Sequence, residues 1–427
     1  LHINENKLNE QQNQRLIAAK ETFKDSGLFI IDVSIRSLFD LKTYYREVVA
    51  QHNIEVVVLE SSEKPGGRIQ SDKVDGFILD HGFQVINPAY PELQSWENLT
   101  KLQLRPLSGA VEIKGKDKLI KLADPRRNFP SIRSHLSFPI RSQLEFLFYA
   151  LSRTNASMEK LLSEPEMAFA DVITSRNRRL YEEVLAPFFK GVFLQDSNSV
   201  SRNYGDLVLR TFVKGRPSLP KFGVGELPLL MAEEITQLKL NSKVNRIENG
   251  LVRSDSGDFS FSQLVFAHGD SEISGGPTFD QISWNRCTTF YHYADQSPSK
   301  NSAVRVNHHS PIVNSVVLSN ASDAYAPPGK HLISTTTLSH LDENSLRKHL
   351  VDFWGKEVLD WTFLREYKIE KALPSQKVGT PLQKSQKIRE NMWLIGDHRD
   401  TPSQQGALFS GRRCAESITS QIRSRAR

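Results

Sequence analysis

The stretch Val56-Val57-Val58-Leu59-Glu60 is an apolar run that ends in a carboxylate. Such a run is typical of a strand buried on both faces, and these strands belong to parallel sheets with helical crossovers. In a dinucleotide-binding unit, an acidic residue at the end of the second strand accepts hydrogen bonds from ribose hydroxyls. The run therefore predicts an α/β fold with Glu60 as a ribose ligand, although a strand-end carboxylate without a ligand would give the same sequence.

The residues on either side of this run extend the pattern. Leu28–Val33 has the length and composition of a first strand, and Tyr44–Gln51 fits the helix that would follow it. After the run, Gly66 and Gly67 allow the backbone to approach a bulky ligand, and Arg68 brings a planar positive group toward a pyrophosphate. A plain turn would also explain the two glycines.

A second strand-loop-helix unit lies near the C-terminus. Met392–Ile395 is apolar, and Gly396 and Asp397 follow it where a carboxylate can bond to polyol hydroxyls. The helix predicted over Ala407–Ile422 begins beside Gly406, and its first amides favour negative charge. Close packing of small residues is the alternative interpretation of Gly406 and Ala407.

The middle of the chain changes character twice. Helical spacing dominates from Leu144 to Phe189, which indicates a separate helical layer. Short β-rich segments separated by turn pairs follow from Lys239 to Ala267 and continue, with one helix near Ser345–Leu359, to Ile369. This alternation predicts a mixed second domain, and the sequence shows no internal repeat.

Composition excludes several classes of protein. The chain has 427 residues, of which 38% are hydrophobic and 24% charged, and this is typical of a soluble globular protein with two or three units. Cys287 and Cys414 form no CxxC pair. The net charge of +6 is spread over 55 basic and 49 acidic residues without an aromatic platform, so we expect no nucleic-acid partner.

No apolar run reaches the roughly 20 residues of a membrane span, and we expect a soluble, intracellular (cytoplasmic) protein. Contact with a membrane surface stays open, and the sequence does not indicate an oligomeric state.

Together these stretches resemble the FAD-dependent amine oxidase and phytoene desaturase superfamily, most closely its protoporphyrinogen-oxidase-like and phytoene-dehydrogenase-like NAD(P)/FAD-dependent oxidoreductases. The resemblance extends from about Ile54 to Ser417. The blocks that carry it are Glu60, Gly66-Gly67-Arg68, Asp80–Val85 with Tyr90-Pro91, Phe188–Phe193, Leu219–Gly225, Tyr367–Pro374 and Gly396–Pro402 through Gly411-Arg412.

The resemblance implies an FAD cofactor and a discontinuous, Rossmann-like FAD-binding domain made of residues 27–95, 225–275 and 388–427. A mixed α+β substrate domain would take residues 96–224 and 276–387, and residues 1–26 would be a polar extension. Gly82, Phe83 and Gln84 match family positions at the cofactor, and Val244 matches the position whose backbone pairs with adenine. His81 and His398 lie in the same motifs. The implied activity is oxidation or desaturation of a hydrophobic or amine-bearing small molecule, with an apolar substrate expected.

One departure from the family is a missing fingerprint. The family opens with a GxGxxG turn, whose glycines let a helix N-terminus approach the pyrophosphate. Here Phe39 and Lys42 occupy that region, and Gly27 is the only glycine before Gly66. A divergent loop, a ligand-binding pseudoenzyme without flavin, and an altered N-terminal reading frame each explain this. The pseudoenzyme is the alternative to the enzyme hypothesis.

Other chemistry has little support. His308 and His309 are adjacent, so in a strand they point to opposite faces and cannot readily share a metal. No HExxH, GxSxG or GxxxxGK[ST] pattern occurs, and we expect no metal site. The aromatic segments Phe188–Phe193 and Phe290–Tyr293 fit either a substrate pocket or a core.

Overall fold

The computed structural model of the chain describes residues 27–31, 55–115, 119–123, 140–248, 250–268, 273–307 and 310–425. The strands in these ranges are β1 (Gly27–Ile31), β2 (Glu55–Leu59), β3 (Ser71–Val74), β4 (Phe77–Asp80), β5 (Arg105–Pro106), β6 (Ala110–Lys114), β7 (Leu119–Ala123), β8 (Ser218–Leu219), β9 (Leu238–Lys239), β10 (Val244–Glu248), β11 (Leu251–Ser254), β12 (Gly257–Ser260), β13 (Gln263–Phe266), β14 (Trp284–Ala294), β15 (Val304–Asn307), β16 (Ile312–Val317), β17 (His331–Thr337), β18 (Thr362–Pro374), β19 (Lys387–Arg389) and β20 (Met392–Leu394). The α-helices are α1 (Pro91–Gln94), α2 (Ile140–Asn155), α3 (Met158–Ser163), α4 (Phe169–Leu180), α5 (Ala186–Phe193), α6 (Arg202–Lys214), α7 (Glu226–Ala232), α8 (Glu343–Trp354) and α9 (Gln404–Arg425).

The chain divides into two compact units. Of the described residues, the first unit contains those up to Gly67 and those within Pro228–Ile282 and Gln383–Arg427, and the second contains those within Arg68–Leu227 and Ser283–Leu382. Compactness thus assigns residues 68–95 to the second unit, whereas the sequence analysis assigned them to the FAD-binding domain. A segment can contact a cofactor without belonging to the same compact unit, so the functional domain boundaries stay a prediction.

The first unit is built on a six-stranded sheet in the order β19-β20-β13-β1-β2-β9. All neighbouring pairs are parallel except the edge pair β19 and β20. Strands β13 and β20 are buried along their whole length, as the apolar runs in the sequence require. Val57, Leu59, Leu264 and Phe266 form one core cluster with Leu394. The predicted α/β fold is therefore confirmed.

Strand β1 lies in the middle of this sheet, between β13 and β2. It coincides with most of the predicted first strand, Leu28–Val33. The region of the missing fingerprint, including Phe39 and Lys42, lies outside the described residues, as do the predicted helix Tyr44–Gln51 and the 1–26 extension. His308 and His309 are also outside them.

The second unit contains a seven-stranded mixed sheet in the order β18-β14-β17-β16-β15-β6-β7. An apolar cluster that includes Leu346, Leu350 and Phe353 joins α8 to Phe290 and Ile333 of this sheet. A second cluster joins strands β6 and β15 to helices α2, α4, α5 and α6. The unit is a mixed α+β arrangement, as predicted for a substrate domain.

Aromatic rings dominate the helical layer. Phe189 and Phe193 stack with 5.3 Å between ring centroids, and Phe169 meets them edge to face at 5.1 and 6.0 Å. All three side chains are almost fully buried, as are Phe290 and Tyr291 on β14. For these residues, the structure selects core packing over a substrate pocket. In the parts of the chain that the structure describes, no helix combines the length and apolar character needed to cross a bilayer.

Candidate functional site

The carboxyl ends of the parallel strands bring two predicted ligands to one edge of the first unit. Glu60 directly follows β2, and Asp397 is the third residue after β20. In the sheet order these strands are three positions apart, which corresponds to about 14 Å at the usual strand spacing. Strand β1 pairs with β2 on one side and with β13 on the other. The next strand in the chain, β2, lies on one side of β1, and the later strands β13 and β20 lie on the other, so the strand order reverses at β1. Open α/β sheets bind ligands at this kind of switch point.

Glu60 is held rigidly at this edge. Its side chain is 3% exposed, and Oε1 accepts hydrogen bonds from the Ser62 amide at 2.8 Å and the Ser62 hydroxyl at 2.7 Å. The Glu60 amide donates to the Lys239 carbonyl at 2.9 Å, and its carbonyl accepts from Ser242 at 2.8 Å. The carboxylate is therefore fixed before any ligand arrives, which is what a preorganised ribose ligand requires.

Gly66 and Gly67 form the turn that follows. Their φ angles are 153° and 49°, in the region that favours glycine, so a side chain at either position would strain the backbone. This explains the glycine pair through local geometry, and their cofactor contact stays a prediction.

Asp397 lies in a tightly constructed loop. Its side chain is fully buried, and the preceding Gly396 has φ 136° with its missing Cβ facing the His398 ring at 2.7 Å. The Gly396 amide donates to Ser410 Oγ on α9 at 2.9 Å. His398 is itself buried. The strand end and the helix are thereby locked together around Asp397.

Gly406 and Ala407 occupy the first turn of α9, where their amides are already used. The Gly406 amide donates to Ser403 Oγ and the Ala407 amide to the Ser403 carbonyl, both at 3.0 Å. A Cβ on Gly406 would collide with the Thr401 carbonyl oxygen and would lie 2.7 Å from the Thr401 amide. Close packing therefore explains Gly406, and the predicted contact of these amides with the flavin ring remains a prediction.

Val244 opens β10 and its side chain is buried in the core of the first unit. Strand β10 is an edge strand of its three-stranded sheet, and on its outer side the Ile247 amide donates to the Ser274 carbonyl at 2.9 Å. An adenine could pair only along such a side. The structure thus leaves the predicted role of the Val244 backbone open.

The remaining predicted ligands belong to the second unit. The Arg68 guanidinium lies 4.8 Å from the centroid of the Trp284 ring and donates to the Ala372 carbonyl at 3.3 Å. Gln84 Nε2 donates to the carbonyls of Arg68 and His81 at 2.8 and 3.1 Å. Gln84 therefore ties two loops together, and Arg68 is braced within its own unit.

Gly82 and Phe83 lie between these contacts. Gly82 has φ 95°, and its missing Cβ would lie 2.8 Å from Ile369 Cδ1. Phe83 packs against a buried cluster that includes Tyr291 and Val316. A cofactor contact at Gly82 or Phe83 stays a prediction.

Asp80 is a buried carboxylate to which the sequence analysis gave no role beyond its place at the start of the Asp80–Val85 block. It accepts hydrogen bonds from Ser71 Oγ at 2.6 Å, the Val224 amide at 3.0 Å and the Tyr325 hydroxyl at 2.8 Å. Burial raises its pKa from 3.8 to about 6, although these three hydrogen bonds lower it. Its partners are distant in sequence, so only its place before His81-Gly82 could have marked it.

A largely parallel sheet with two buried carboxylates at its carboxyl edge is typical of dinucleotide-binding proteins of the Rossmann-like class. The sequence matches the family described as flavin containing amine oxidoreductase over residues 47–419, and the chain belongs to that family. Its cofactor is FAD. No curated protein sequence matches the chain.

Solved structures share the fold at low sequence identity. An oxidoreductase from Methanosarcina mazei has a TM-score of 0.71 and 14% identity, covering 91% of this chain and 100% of that chain. A protein described as a protoporphyrinogen oxidase from Exiguobacterium sp. 255-15 has a TM-score of 0.65 and 15% identity over 93% and 99%. Putrescine oxidase bound to putrescine has a TM-score of 0.67 and 14% identity over 92% and 99%. At these identities the likeness shows the fold alone.

The hydrogen-bond acceptors at the sheet edge suit FAD. The ribose and ribityl hydroxyls of FAD are hydrogen-bond donors, and buried carboxylates are the acceptors that such hydroxyls need. Glu60 and Asp397 supply two carboxylates on one edge, three strand positions apart. The residues present therefore fit an extended dinucleotide.

Proposed function

We propose that this FAD-dependent oxidoreductase of the amine oxidase family oxidises or desaturates a hydrophobic or amine-bearing small molecule. The observation that carries the proposal is the pair of buried carboxylates at the carboxyl edge of the parallel sheet. Glu60 would hold the adenosine ribose, and Asp397 the ribityl-pyrophosphate end. When bound, FAD supplies the hydride acceptor.

Amine oxidation is the version that we put first. One structure of similar fold is putrescine oxidase bound to putrescine, and the matching family is described by its amine substrates.

The test is a visible absorption spectrum of the purified protein, followed by anaerobic addition of putrescine and of benzylamine. We expect a yellow protein whose oxidised flavin band is bleached by at least one of the two amines. A protein that stays colourless after incubation with FAD would support the non-catalytic ligand-binding alternative. A yellow protein that neither amine bleaches would contradict amine oxidation.

A further inference from the structure

Helix α2 in the second unit has apolar side chains on two opposite faces, and only one of these faces is buried. Tyr149 and Ala150 are buried in the core, and Phe146 packs against the same cluster. Phe148 points to the opposite side of the helix, because successive residues are rotated by about 100°. It is 67% exposed, which makes it the most exposed large apolar side chain in the parts of the chain that the structure describes.

Two leucines extend this exposed face. Leu151 follows Leu147 by four residues and Phe148 by three, so the three side chains are neighbours on the helix surface. Leu147 is 42% exposed, and Leu151 is half-buried. We call Leu147, Phe148 and Leu151 the α2 patch. Exposed apolar side chains that lie together, unlike single ones, mark an interaction site.

The sequence that leads into α2 is strongly basic. Four arginines and no acidic residue occur between Asp124 and Glu145. The arginines are Arg126, Arg127, Arg133 and Arg141. The net charge of the whole chain is +6, so this short stretch holds most of the excess. Arg141 belongs to α2, and chain continuity keeps the other three charges near the start of that helix.

The structure shows a further cation beside α2. The guanidinium of Arg176 on α4 lies 4.7 Å from the centroid of the Tyr149 ring and donates to the Val172 carbonyl at 2.7 Å. Its side chain is exposed to solvent. A positive charge therefore lies against the residue that follows Phe148, and the α2 patch has basic groups around it.

We propose that the α2 patch docks onto the surface of an anionic lipid bilayer. Phe148 and Leu147 enter the boundary of the acyl chains, and the basic residues meet the lipid headgroups. Apolar side chains on one helix face with basic residues beside them are typical of helices that bind at a membrane surface. Anionic lipids attract such basic residues across a short range. This binding needs neither the flavin nor a substrate.

A second copy of the chain is a poorer partner for the α2 patch. Three side chains of one helix cover much less than the roughly 800 Å² per partner that a stable protein interface buries. Two copies would also bring two basic stretches together, and like charges repel. An anionic surface instead complements both the charge and the apolar side chains.

The first experiment measures sedimentation of the purified protein with vesicles. One preparation is phosphatidylcholine alone, and the other is an equal mixture of phosphatidylcholine and phosphatidylglycerol. We expect binding to the mixture, and binding at least about tenfold weaker to phosphatidylcholine alone, which offers the arginines no anionic headgroup. Phe148→Ser should weaken binding to the mixture about tenfold, because an aromatic side chain is lost from the acyl boundary.

Leu359→Ser is the matched control for Phe148→Ser. Leu359 is 63% exposed in the same unit but lies just before β18, away from α2 in the sequence. We expect its loss to leave vesicle binding unchanged. Both variants should keep the wild-type thermal midpoint, because both side chains are largely exposed.

The second experiment tests the charge. Arg126→Gln combined with Arg127→Gln should weaken binding to the mixture at least about tenfold, since each basic residue near an anionic surface contributes severalfold to binding. Arg423→Gln combined with Arg425→Gln removes the same charge near the C-terminus and should have no effect. Equal losses in the two double variants would show that only the net charge matters, and would contradict docking through α2.

The third experiment measures insertion with vesicles whose acyl chains carry bromine, which quenches tryptophan fluorescence on contact. We expect Phe148→Trp to add quenching to that of the wild type, and Leu359→Trp to add none. The proposal is overturned if the wild type does not bind the mixture, binds both preparations equally, or binds no better than Phe148→Ser. It is also overturned if the wild type dimerises without vesicles while Phe148→Ser stays monomeric, because a second copy then covers the α2 patch. A colourless protein would contradict the proposed function and leave this test intact.

Discussion

The assignment of FAD contacts depends on two single carboxylates, those of Glu60 and Asp397. We expect Glu60→Ala and Asp397→Ala each to weaken FAD binding by roughly 1–3 kcal/mol, the scale of losing hydrogen bonds to a charged group. The dissociation constant can be measured by quenching of flavin fluorescence. Glu55→Ala is a matched control, since Glu55 lies exposed at the opposite end of β2 and its carboxylate accepts from Gln237. Equal affinities in all three variants would contradict the assignment.

Asp80 predicts a pH dependence of stability. Because its folded-state pKa is raised from 3.8 to about 6, its contribution to stability is fully present below pH 4 and is lost as the pH rises through 6. Two pKa units correspond to about 3 kcal/mol. We expect Asp80→Asn to flatten this part of the stability curve, measured as the free energy of unfolding by urea at pH 4, 5, 6 and 7.

The matched control for this prediction is Asp75→Asn in the turn of the same hairpin, where the side chain is exposed. Its curve should run parallel to that of the wild type. If Asp80→Asn also runs parallel between pH 4 and 6, then Asp80 does not titrate with a raised pKa.

At the scale of single elements, helix α9 shows both the reach and the limit of sequence reasoning. The apolar periodicity predicted a helix over 407–422, and the structure extends it to Gln404–Arg425. The earlier start arises because Ser403 Oγ accepts from the Gly406 amide, which is a typical N-cap bond. Gly406 was interpreted as the residue before the helix, because no local pattern reveals that the Thr401 backbone occupies the place of its Cβ.

Because of this contact, we expect Gly406→Ala to lower the free energy of unfolding, which is opposite to the usual effect of this substitution inside a helix. In a helix, alanine is normally favoured over glycine by about 1 kcal/mol. Here the added methyl would meet the Thr401 carbonyl, so we expect a loss of about 1–3 kcal/mol, which is typical of overpacking. Thermal midpoint and flavin reduction potential should be measured together, and we expect the midpoint to fall and the potential to stay unchanged.

Ser417→Ala in a later, exposed turn of the same helix serves as the control, with an expected change within about 0.5 kcal/mol. A shifted potential in Gly406→Ala with an unchanged midpoint would favour the electrostatic role of this turn over packing.

For the whole molecule, the sequence predicted the fold class and the strands that carry Glu60 and Asp397, because both are marked by local apolar runs. It could not predict that Asp72 meets Tyr367 or that Arg68 stacks on Trp284. Those contacts join segments that are far apart in the chain, and they depend on the packing of the complete second unit. Neither contact could therefore be predicted from local patterns in the sequence.

Binding of FAD should stabilise the folded protein as a whole. A ligand that binds only the native state at 100 times its dissociation constant contributes about 2.7 kcal/mol. We expect the thermal midpoint to rise with FAD concentration in the wild type, and to require higher FAD concentrations for the same rise in Glu60→Ala. A midpoint that is independent of FAD over a thousandfold range would contradict specific binding to the folded state.

The order of strands in the first sheet has a consequence for biosynthesis. Leu28 of β1 is aligned with Gln263, and Leu264 is aligned with Met392, so neighbours in the sheet are made far apart in time. At ordinary translation rates the delay between β1 and β13 is on the order of tens of seconds. Throughout that interval the edge of β1 that will face β13 has no partner from its own chain. An unpaired strand edge is where a chain pairs wrongly with its neighbours, so we expect this stage of synthesis, more than the finished protein, to depend on chaperones.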